Sequence, residues 1–318
     1  MTLDEVIKQI DLANEILVLA HEQPDGDAIG SSFAMALALK NMGKNVDIFM
    51  KNIPRNFDFL PGRENVKQEP IEDKIYDLVI VLDCSSLDRL NKEYLPFFED
   101  AKYKIEIDHH NKNTMFADLN IVNHVSPATC QILVSSFEYM GIELTKEIST
   151  CLITGIITDT NGFKDENVTI ETFDFASYVL NKGISLSKIY RQALHVLSRS
   201  KFEAHKLAMS RLEFLCDGKI AFTYITDEDT KNLELHAGDK EGIVEIGRNV
   251  EGVEVSIFLY STPRGYKASL RSNDYVNVSD ICVIFGGGGH IKAAATHMIM
   301  PFDEAKQRII EEVAKKLK

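Results

Sequence analysis

The sequence predicts two α/β domains: a larger N-terminal domain with a mainly parallel sheet flanked by helices, and a smaller C-terminal domain with a mixed sheet. Apolar runs such as 77–83 are continuous, which is typical of strands buried on both faces of a parallel sheet. Beyond residue 215 the apolar residues alternate, as in half-exposed strands. The 318 residues suffice for two cores. We predict domains at 1–187 and 215–318, joined by a helical linker at 188–214.

The composition excludes several classes of protein. Apolar residues make up 45% of the chain and charged residues 26%, as in ordinary globular proteins. No apolar run has membrane-spanning length and no cleavable signal precedes residue 14, so we expect a cytoplasmic protein without a membrane partner. The net charge of −13 argues against binding long nucleic acid, but it permits a short anionic substrate. Five widely spaced cysteines are predicted to be reduced.

The elements of the first domain follow from periodicity and from turn residues. Prolines and a glycine predict a loop over 51–70, and Pro127 is placed in the first turn of a helix. The predicted strands are 15–20, 46–50, 77–83 and 104–110, and the predicted helices are 31–42 and 126–139. Residues 146–158 form a second apolar segment, and a helical pattern runs from 170 to about 215.

The second domain is predicted to contain strands at 219–225, 253–260 and 266–271 and a terminal helix at 303–317. A glycine-rich stretch, Gly286–Gly289, ends in His290. Because successive glycines carry a high entropy cost, we infer that their N–H groups approach an anion and that a helix starts at Ile291. A flexible hairpin turn is the alternative. The predicted substrate-binding residues are Arg271, Gly287, Gly288, Gly289 and His290.

The turn after the first strand carries His21, Asp25 and Asp27. Two carboxylates so close in sequence repel each other, and a divalent cation is the simplest way to hold them together. The alternative is structural: Asp27 could cap the following helix and Asp25 could be a turn residue. This short pattern does not decide between the two.

Polar residues also end the later elements: Asp83, then the Asp108–His110 triplet, then Asp159. Because the carboxyl ends of parallel strands meet at one edge of a sheet, we expect these residues to converge, although each aspartate alone could be a helix cap. Six ligands suit two ions that share a bridging carboxylate, for which we choose Asp83. The predicted ligands are His21, Asp25, Asp27, Asp83, His109 and Asp159.

Such a centre predicts hydrolysis of a phosphoester. Two ions would lower the pKa of a bridging water and hold the oxygens of an in-line displacement. Oxygen and nitrogen ligands without thiolate favour Mn²⁺ over Co²⁺, Fe²⁺ or Mg²⁺, with Zn²⁺ still open. His110 is assigned to the phosphate or the leaving-group oxygen, and Asp108 is predicted to orient a ligand imidazole.

These motifs resemble the DHH phosphoesterases with their associated DHHA1 domain. The resemblance rests on Asp108–His110, on H-x-x-P-D-G-D-A-I-G-S over His21–Ser31, on Val81–Asp83, on Thr158–Thr160 and on the loop Gly286–His290. It spans nearly the whole chain and makes the first domain the DHH catalytic domain. One departure is Ala295, where the family loop commonly has glycine.

Length and domain pairing are most similar to the oligoribonuclease (nanoRNase) and pAp phosphatase branch. That resemblance implies two Mn²⁺ ions, exonucleolytic hydrolysis of very short RNA, and removal of the 3′-phosphate from 3′-phosphoadenosine 5′-phosphate (pAp). It further implies that Asp83 serves both ions, that Arg271 and His290 grip the substrate, and that the protein is a homodimer. The implied sets are His21, Asp25 and Asp83 for one ion, and Asp27, Asp83, His109 and Asp159 for the other.

Four other functions compete with this one. Single-strand exonucleases of the RecJ type are larger, and family II pyrophosphatases carry a basic motif that residues 197–201 match poorly. A phosphodiesterase of the linear dinucleotide pApA, formed from cyclic di-AMP, cannot be separated from a nanoRNase by sequence. A nucleotide sensor without catalysis is opposed by the complete set of six ligands.

Overall fold

The computed structural model describes residues 2–71 and 74–318. The chain divides into two compact units, Met1–Val196 and Leu197–Lys318. The domain boundaries drawn from the sequence at 187 and 215 stay a prediction. None of the helices within the described ranges combines the length and the apolar character that crossing a membrane requires.

The first unit is built on a sheet of six strands in which every paired neighbour is parallel. Its strands are β1 (Glu15–Leu19), β2 (Asn45–Phe49), β3 (Val66–Lys67), β4 (Leu78–Leu82), β5 (Tyr103–Asp108) and β6 (Leu119–Val122), in the spatial order β3-β2-β1-β4-β5-β6. Its helices are α1 (Thr2–Leu12), α2 (Gly26–Asn41), α3 (Leu95–Asp100), α4 (Thr129–Tyr139), α5 (Lys146–Asp159), α6 (Ile170–Asn181) and α7 (Leu186–Tyr190), with a π-helical turn at Arg191–His195.

Both faces of this sheet are covered, which explains the continuous apolar runs. In β4, all five residues are buried. Leu78, Ile80 and Leu82 pack into the core formed with α2, α4 and α5, whereas Val79 and Val81 face a smaller core that includes α3. The strand order reverses between β1 and β4, so the connections leave in opposite directions and open a crevice at the carboxyl ends of these strands.

The second unit contains a mixed sheet, as predicted. Only the β8–β9 pair is parallel among its described pairs. Its strands are β7 (Glu213–Leu215), β8 (Ile220–Ile225), β9 (Val255–Thr262), β10 (Gly265–Ser272), β11 (Gly288–His290) and β12 (Ala293–Met298), in the spatial order β11-β12-β10-β9-β8-β7. Its helices are α8 (Arg199–Ser210), α9 (Asp227–Asn232), α10 (Ile243–Arg248), α11 (Val278–Ile284) and α12 (Phe302–Ala314).

The prediction that a helix starts at Ile291 is wrong, because the glycine-rich stretch leads into a β-hairpin. Gly288 pairs with Ala295, and His290 pairs with Ala293. A Cβ atom at Gly287 would lie 2.3 Å from the carbonyl oxygen of Ala295. Because Gly287 has no side chain, the chain can pass close to β12, the strand that pairs with β11.

Two helix starts also differ from the prediction. Gly26, which we expected in the turn, is the first residue of α2, because the Asp25 carboxylate caps the helix at that point. Pro127 precedes α4 instead of lying in its first turn. That helix begins at Thr129, whose N–H is bound by a carboxylate from another segment.

The glycines of the hairpin provide a matched test of this packing. Gly287→Ala should lower the free energy of unfolding by about 1–3 kcal/mol, because the added methyl group overlaps β12. At Gly288 a Cβ atom would meet nothing within 4 Å, so Gly288→Ala should leave stability nearly unchanged. Urea unfolding followed by circular dichroism measures both variants. Equal stabilities would contradict the close approach of the hairpin backbone.

Candidate metal centre

Asp25 caps helix α2, and Asp27 caps helix α4. The Oδ1 atom of Asp25 accepts hydrogen bonds from the N–H groups of Asp27 and Ala28, at 3.0 and 3.1 Å, and so caps α2. Asp27 is fully buried and accepts from the N–H groups of Thr129 and Cys130, at 2.6 and 2.9 Å. Its negative charge is thus placed at the amino end of α4, where the helix dipole favours it.

Asp83 lies in a tight turn directly after β4. Its φ of 55° is left-handed, a conformation that asparagine and aspartate tolerate better than other side chains do. The turn buries the carboxylate between two histidines: Oδ2 lies 3.7 Å from His21 Nε2, and Oδ1 lies 3.6 Å from His109 Nε2. The hydroxyl of Thr129 donates to Oδ1 at 3.0 Å.

The two histidines after β5 face the same centre because the strand has already ended at Asp108. His109 Nδ1 lies 3.2 Å from the carbonyl oxygen of Ser126 and donates to it. That bond directs Nε2 at Asp159, whose Oδ2 is 3.1 Å away. His110 Nδ1 lies 2.7 Å from Asp108 Oδ1. Asp108 therefore holds His110 and not His109.

Two glycines bring Asp159 to the centre. A Cβ atom at Gly26 would lie 2.3 Å from Thr158 Oγ1, and one at Gly155 would lie 2.7 Å from Asp27 Oδ1. The start of α2 and the end of α5 therefore approach each other more closely than larger residues permit. Asp159, the last residue of α5, is carried to the carboxylate of Asp27 in this way.

Backbone hydrogen bonds join the loops that surround the centre. The N–H of Glu22 donates to the carbonyl of Arg89 at 2.8 Å, and the N–H of Thr114 donates to the carbonyl of Ser85 at 2.9 Å. These bonds connect the loop after β4 with the loops after β1 and β5. The loops that carry His21, Asp83 and His109 are thus joined by backbone hydrogen bonds.

The electrostatics of the centre favour positive charge. Burial, together with the charge of Asp159, raises the pKa of Asp27 to about 7. Burial and four neighbouring carboxylates raise the pKa of Asp83 well above its usual range. Burial alone would lower the pKa of His109, but the contacts with Asp159 and Asp27 outweigh it and raise that pKa to about 9.

These residues fit divalent cations. His21 Nε2 is buried without a hydrogen-bond partner and lies 3.7–3.8 Å from the carboxylate oxygens of Asp83 and Asp25, so it faces a position where a cation would bind all three. Nitrogen and oxygen donors of this kind suit Mn²⁺ and similar ions. In each of two groups the ligand atoms lie within 4.8 Å of one another: His21, Asp25 and Asp83, and Asp27, His109 and Asp159.

A third group of this kind contains Asp83, His109 and His110. All six residues predicted as ligands are therefore together, although their role as ligands stays a prediction. Three groups at the site could not be predicted from the sequence, because each contributes only through a tertiary contact: the Thr129 side chain, the Ser126 carbonyl and the Asn113 side chain. Glu106 was only weakly indicated by the sequence, as a residue with a carboxyl group within an apolar strand.

The residues predicted to bind substrate lie in the second unit. In the sheet register, Arg271 of β10 pairs with Ala293, which pairs with His290 of β11. Residues in register share a face of an antiparallel sheet, so Arg271 and His290 lie on the same face. The Arg271 Nε atom is 3.1 Å from Glu245 Oε1, and His290 is exposed. Substrate binding by these residues stays a prediction.

Glu106 makes the stability of the protein depend on pH. Burial raises the pKa of this carboxyl to about 7. The native state thus keeps the proton up to about pH 7, whereas the unfolded chain releases it near pH 4, so stability falls as pH rises through this interval. Glu106→Gln removes this loss of stability, because glutamine has no proton to release. We expect the variant to exceed wild type by about 1–3 kcal/mol at pH 8 but not at pH 4.

Urea unfolding at both pH values measures this difference. Glu251→Gln, a change at an exposed position, is the control and should match wild type at each pH. A Glu106→Gln variant whose advantage does not grow with pH would contradict a neutral carboxyl at position 106.

Known proteins match the chain along its length. The DHH family, N-terminal domain, matches residues 15–156, and the DHHA1 domain matches residues 217–318. The bifunctional oligoribonuclease and PAP phosphatase NrnA of Thermus thermophilus is 33% identical over 314 residues, covering 98% of this chain and 93% of the relative. The cyclic-di-AMP phosphodiesterase PdeA of Listeria monocytogenes is 25% identical over 333 residues, covering 98% of this chain and 48% of the relative.

One solved structure agrees over almost the entire fold. An exopolyphosphatase-related protein from Bacteroides fragilis has a TM-score of 0.87 at 27% identity, covering 99% of this chain and 96% of that protein. These matches confirm the family resemblance and the two-domain α/β fold predicted from the sequence. The chain belongs to the DHH family and carries a DHHA1 domain after its DHH domain.

Proposed function

We propose that this protein is a metal-dependent phosphoesterase that hydrolyses very short RNA from an end, releasing nucleoside monophosphates, and that also dephosphorylates pAp to AMP. The observation that carries the proposal is the position of Asp83, whose two carboxylate oxygens face different histidines at 3.7 and 3.6 Å. A carboxylate so placed can serve two ions at once. The name of the Thermus relative supports these two substrates.

Two Mn²⁺ ions are the proposed cofactors, with Co²⁺, Fe²⁺ or Mg²⁺ as alternatives. His21, Asp25 and Asp83 would hold one ion, while Asp27, Asp83, His109 and Asp159 would hold the other. When bound, the ions supply a water of lowered pKa and neutralise charge on the phosphoryl oxygens. Homodimer formation and a cytoplasmic location stay predictions.

Residues of the chain perform the remaining steps. His110 can give the proton on Nε2 to the leaving-group oxygen when both ring nitrogens are protonated, and its Nδ1–H then stays bound to Asp108. Arg271, the backbone at Gly287–Gly289 and His290 bind the phosphates or the base of the substrate. The net charge of −13 disfavours long nucleic acid, which agrees with short substrates.

A second candidate is hydrolysis of pApA, the linear dinucleotide formed from cyclic di-AMP. It is favoured by the Listeria relative, which is named a cyclic-di-AMP phosphodiesterase, although this chain matches only 48% of that protein. The two activities need the same metal centre, so substrate ranking decides between them. A sensor without catalysis would have no evident use for six converging ligands.

The first experiment compares kcat/KM with Mn²⁺ for pAp, pApA, a ribodinucleotide, a 5-mer RNA and a 24-mer RNA. Rapid turnover of the shortest RNAs and of pAp, with little on the 24-mer, is the expected result. Chelator should stop hydrolysis, and added Mn²⁺ should restore it. Asp83→Ala should lower kcat at least about 10³-fold while circular dichroism stays native, because it removes a ligand from both ions.

Several outcomes would contradict the proposal. Activity that persists in metal-free protein, or an Asp83→Ala variant as active as wild type, would remove the two-metal mechanism. A clear preference for pApA would establish the second candidate. Tight binding without turnover of any substrate would establish the sensor.

Arg271→Ala tests substrate recognition separately. We expect KM for dinucleotides to rise about tenfold with kcat little changed, because a charged contact outside the metal centre contributes to binding. Arg264→Ala is the matched control, since Arg264 is exposed at the turn between β9 and β10. An unchanged KM in Arg271→Ala, equal to that of the control, would refute the role of Arg271.

A further inference from the structure

A buried polar network lies behind His110. The Oδ1 atom of Asp108 contacts His110 Nδ1 at 2.7 Å, and its Oδ2 atom accepts a hydrogen bond of 2.7 Å from Asn113 Nδ2. Asn113 Nδ2 also donates to Oε1 of Glu106. The side chains of Asp108 and Glu106 are fully buried. A single amide therefore bridges two buried carboxyl groups, one of which holds a histidine of the proposed active site.

The structure allows the Asn113 amide only one orientation. Its Oδ1 atom accepts a hydrogen bond of 2.6 Å from the N–H of Met115. Its two N–H groups point at oxygens of Glu106 and Asp108, so both donors and the acceptor are used. A half-turn of the amide would place its oxygen against two carboxyl oxygens and its NH₂ group against another N–H. The hydrogen bond from the N–H of Met115 thus holds the amide so that its NH₂ group faces Asp108.

This arrangement defines which nitrogen of His110 can exchange a proton. With Oδ2 bound to Asn113, the Asp108 carboxylate cannot rotate freely, and Oδ1 stays directed at His110 Nδ1. A carboxylate at Nδ1 keeps a proton on that nitrogen in both protonation states of the ring, so Nε2 is the nitrogen that gives or accepts a proton at the substrate. Without the amide, Oδ2 of Asp108 would be buried with no donor, and the carboxylate would turn toward any other donor it could reach.

We propose that Asn113 is a positioning residue that acts through Asp108 to fix the orientation and tautomer of His110. The inference rests on the proposed role of His110 in phosphoester hydrolysis. Asn113 touches none of the six predicted metal ligands in any described contact, and its nearest route to them is His110, whose Nδ1 lies 3.6 Å from Asp83 Oδ1. We therefore expect the proton-transfer step to be affected more than metal affinity.

A double-mutant cycle tests this coupling. Asn113→Ala should lower kcat about 10–100-fold, the size of effect that outer partners of active-site histidines have, with KM and Mn²⁺ affinity within about twofold of wild type. In protein that already carries His110→Ala, adding Asn113→Ala should cause no further loss of kcat. A purely structural role would instead lower activity in both backgrounds and raise the Mn²⁺ requirement.

Controls separate the coupling from general damage. Asn120→Ala removes an amide that bonds only to the backbone of Ala117 among the described contacts, and kcat should not change. Asn113→Ser is the second variant if alanine prevents folding, because a serine hydroxyl can still accept from the N–H of Met115 but cannot bridge Asp108 and Glu106. It should show the same loss of kcat.

The outcomes distinguish this inference from the proposed function. Full activity of His110→Ala would overturn the role of His110 and the inference with it. An inactive His110→Ala together with a fully active Asn113→Ala would overturn the inference alone. Losses that multiply in the double variant would also overturn it, because they would show that Asn113 acts independently of His110.

Discussion

Repulsion among the carboxylates of Asp25, Asp27, Asp83 and Asp159 is the constraint on which the first unit depends. They meet at one edge of the sheet, where Asp27 and Asp83 are buried, and like charges this close together need donors or cations between them. Helix α4 supplies N–H and hydroxyl donors, and the turns after β1 and β5 supply imidazoles. Two divalent ions would supply the remaining positive charge. The strand order places all of these groups at the same crevice.

The same contacts that build the centre also hold the fold together. Asp27 binds the first N–H groups of α4, which has no side-chain cap of its own, and so ties that helix to the start of α2. Gly155 permits the close approach of α5 to Asp27. A change at Asp27 therefore acts on helix docking as well as on the ligand set. Loss of activity at this position alone would not identify a metal ligand.

The parallel fold and the convergence of polar residues could be predicted because they depend on local patterns. Continuous apolar runs indicate buried strands, and parallel strands bring their carboxyl ends together whatever lies between them. Thr129 could not be predicted, since its hydroxyl reaches Asp83 from 46 residues away. Where the hairpin at Gly288 lies, the sequence predicts a loop and a helix start. A run of glycines indicates that the backbone comes close to another group, but it does not show whether that group is an anion or another strand.

The net charge of the chain affects which substrate lengths are favoured, because electrostatic interactions in salt solution have a short range. At physiological ionic strength, charges interact over about 8 Å, so each phosphate senses only the surface near it. The phosphates of a mono- or dinucleotide lie close together, so they sense only a small part of the surface. A longer RNA extends over more of a protein whose formal net charge is −13, and this net charge repels the additional phosphates. In the proposed function, electrostatic repulsion therefore favours short substrates over long ones.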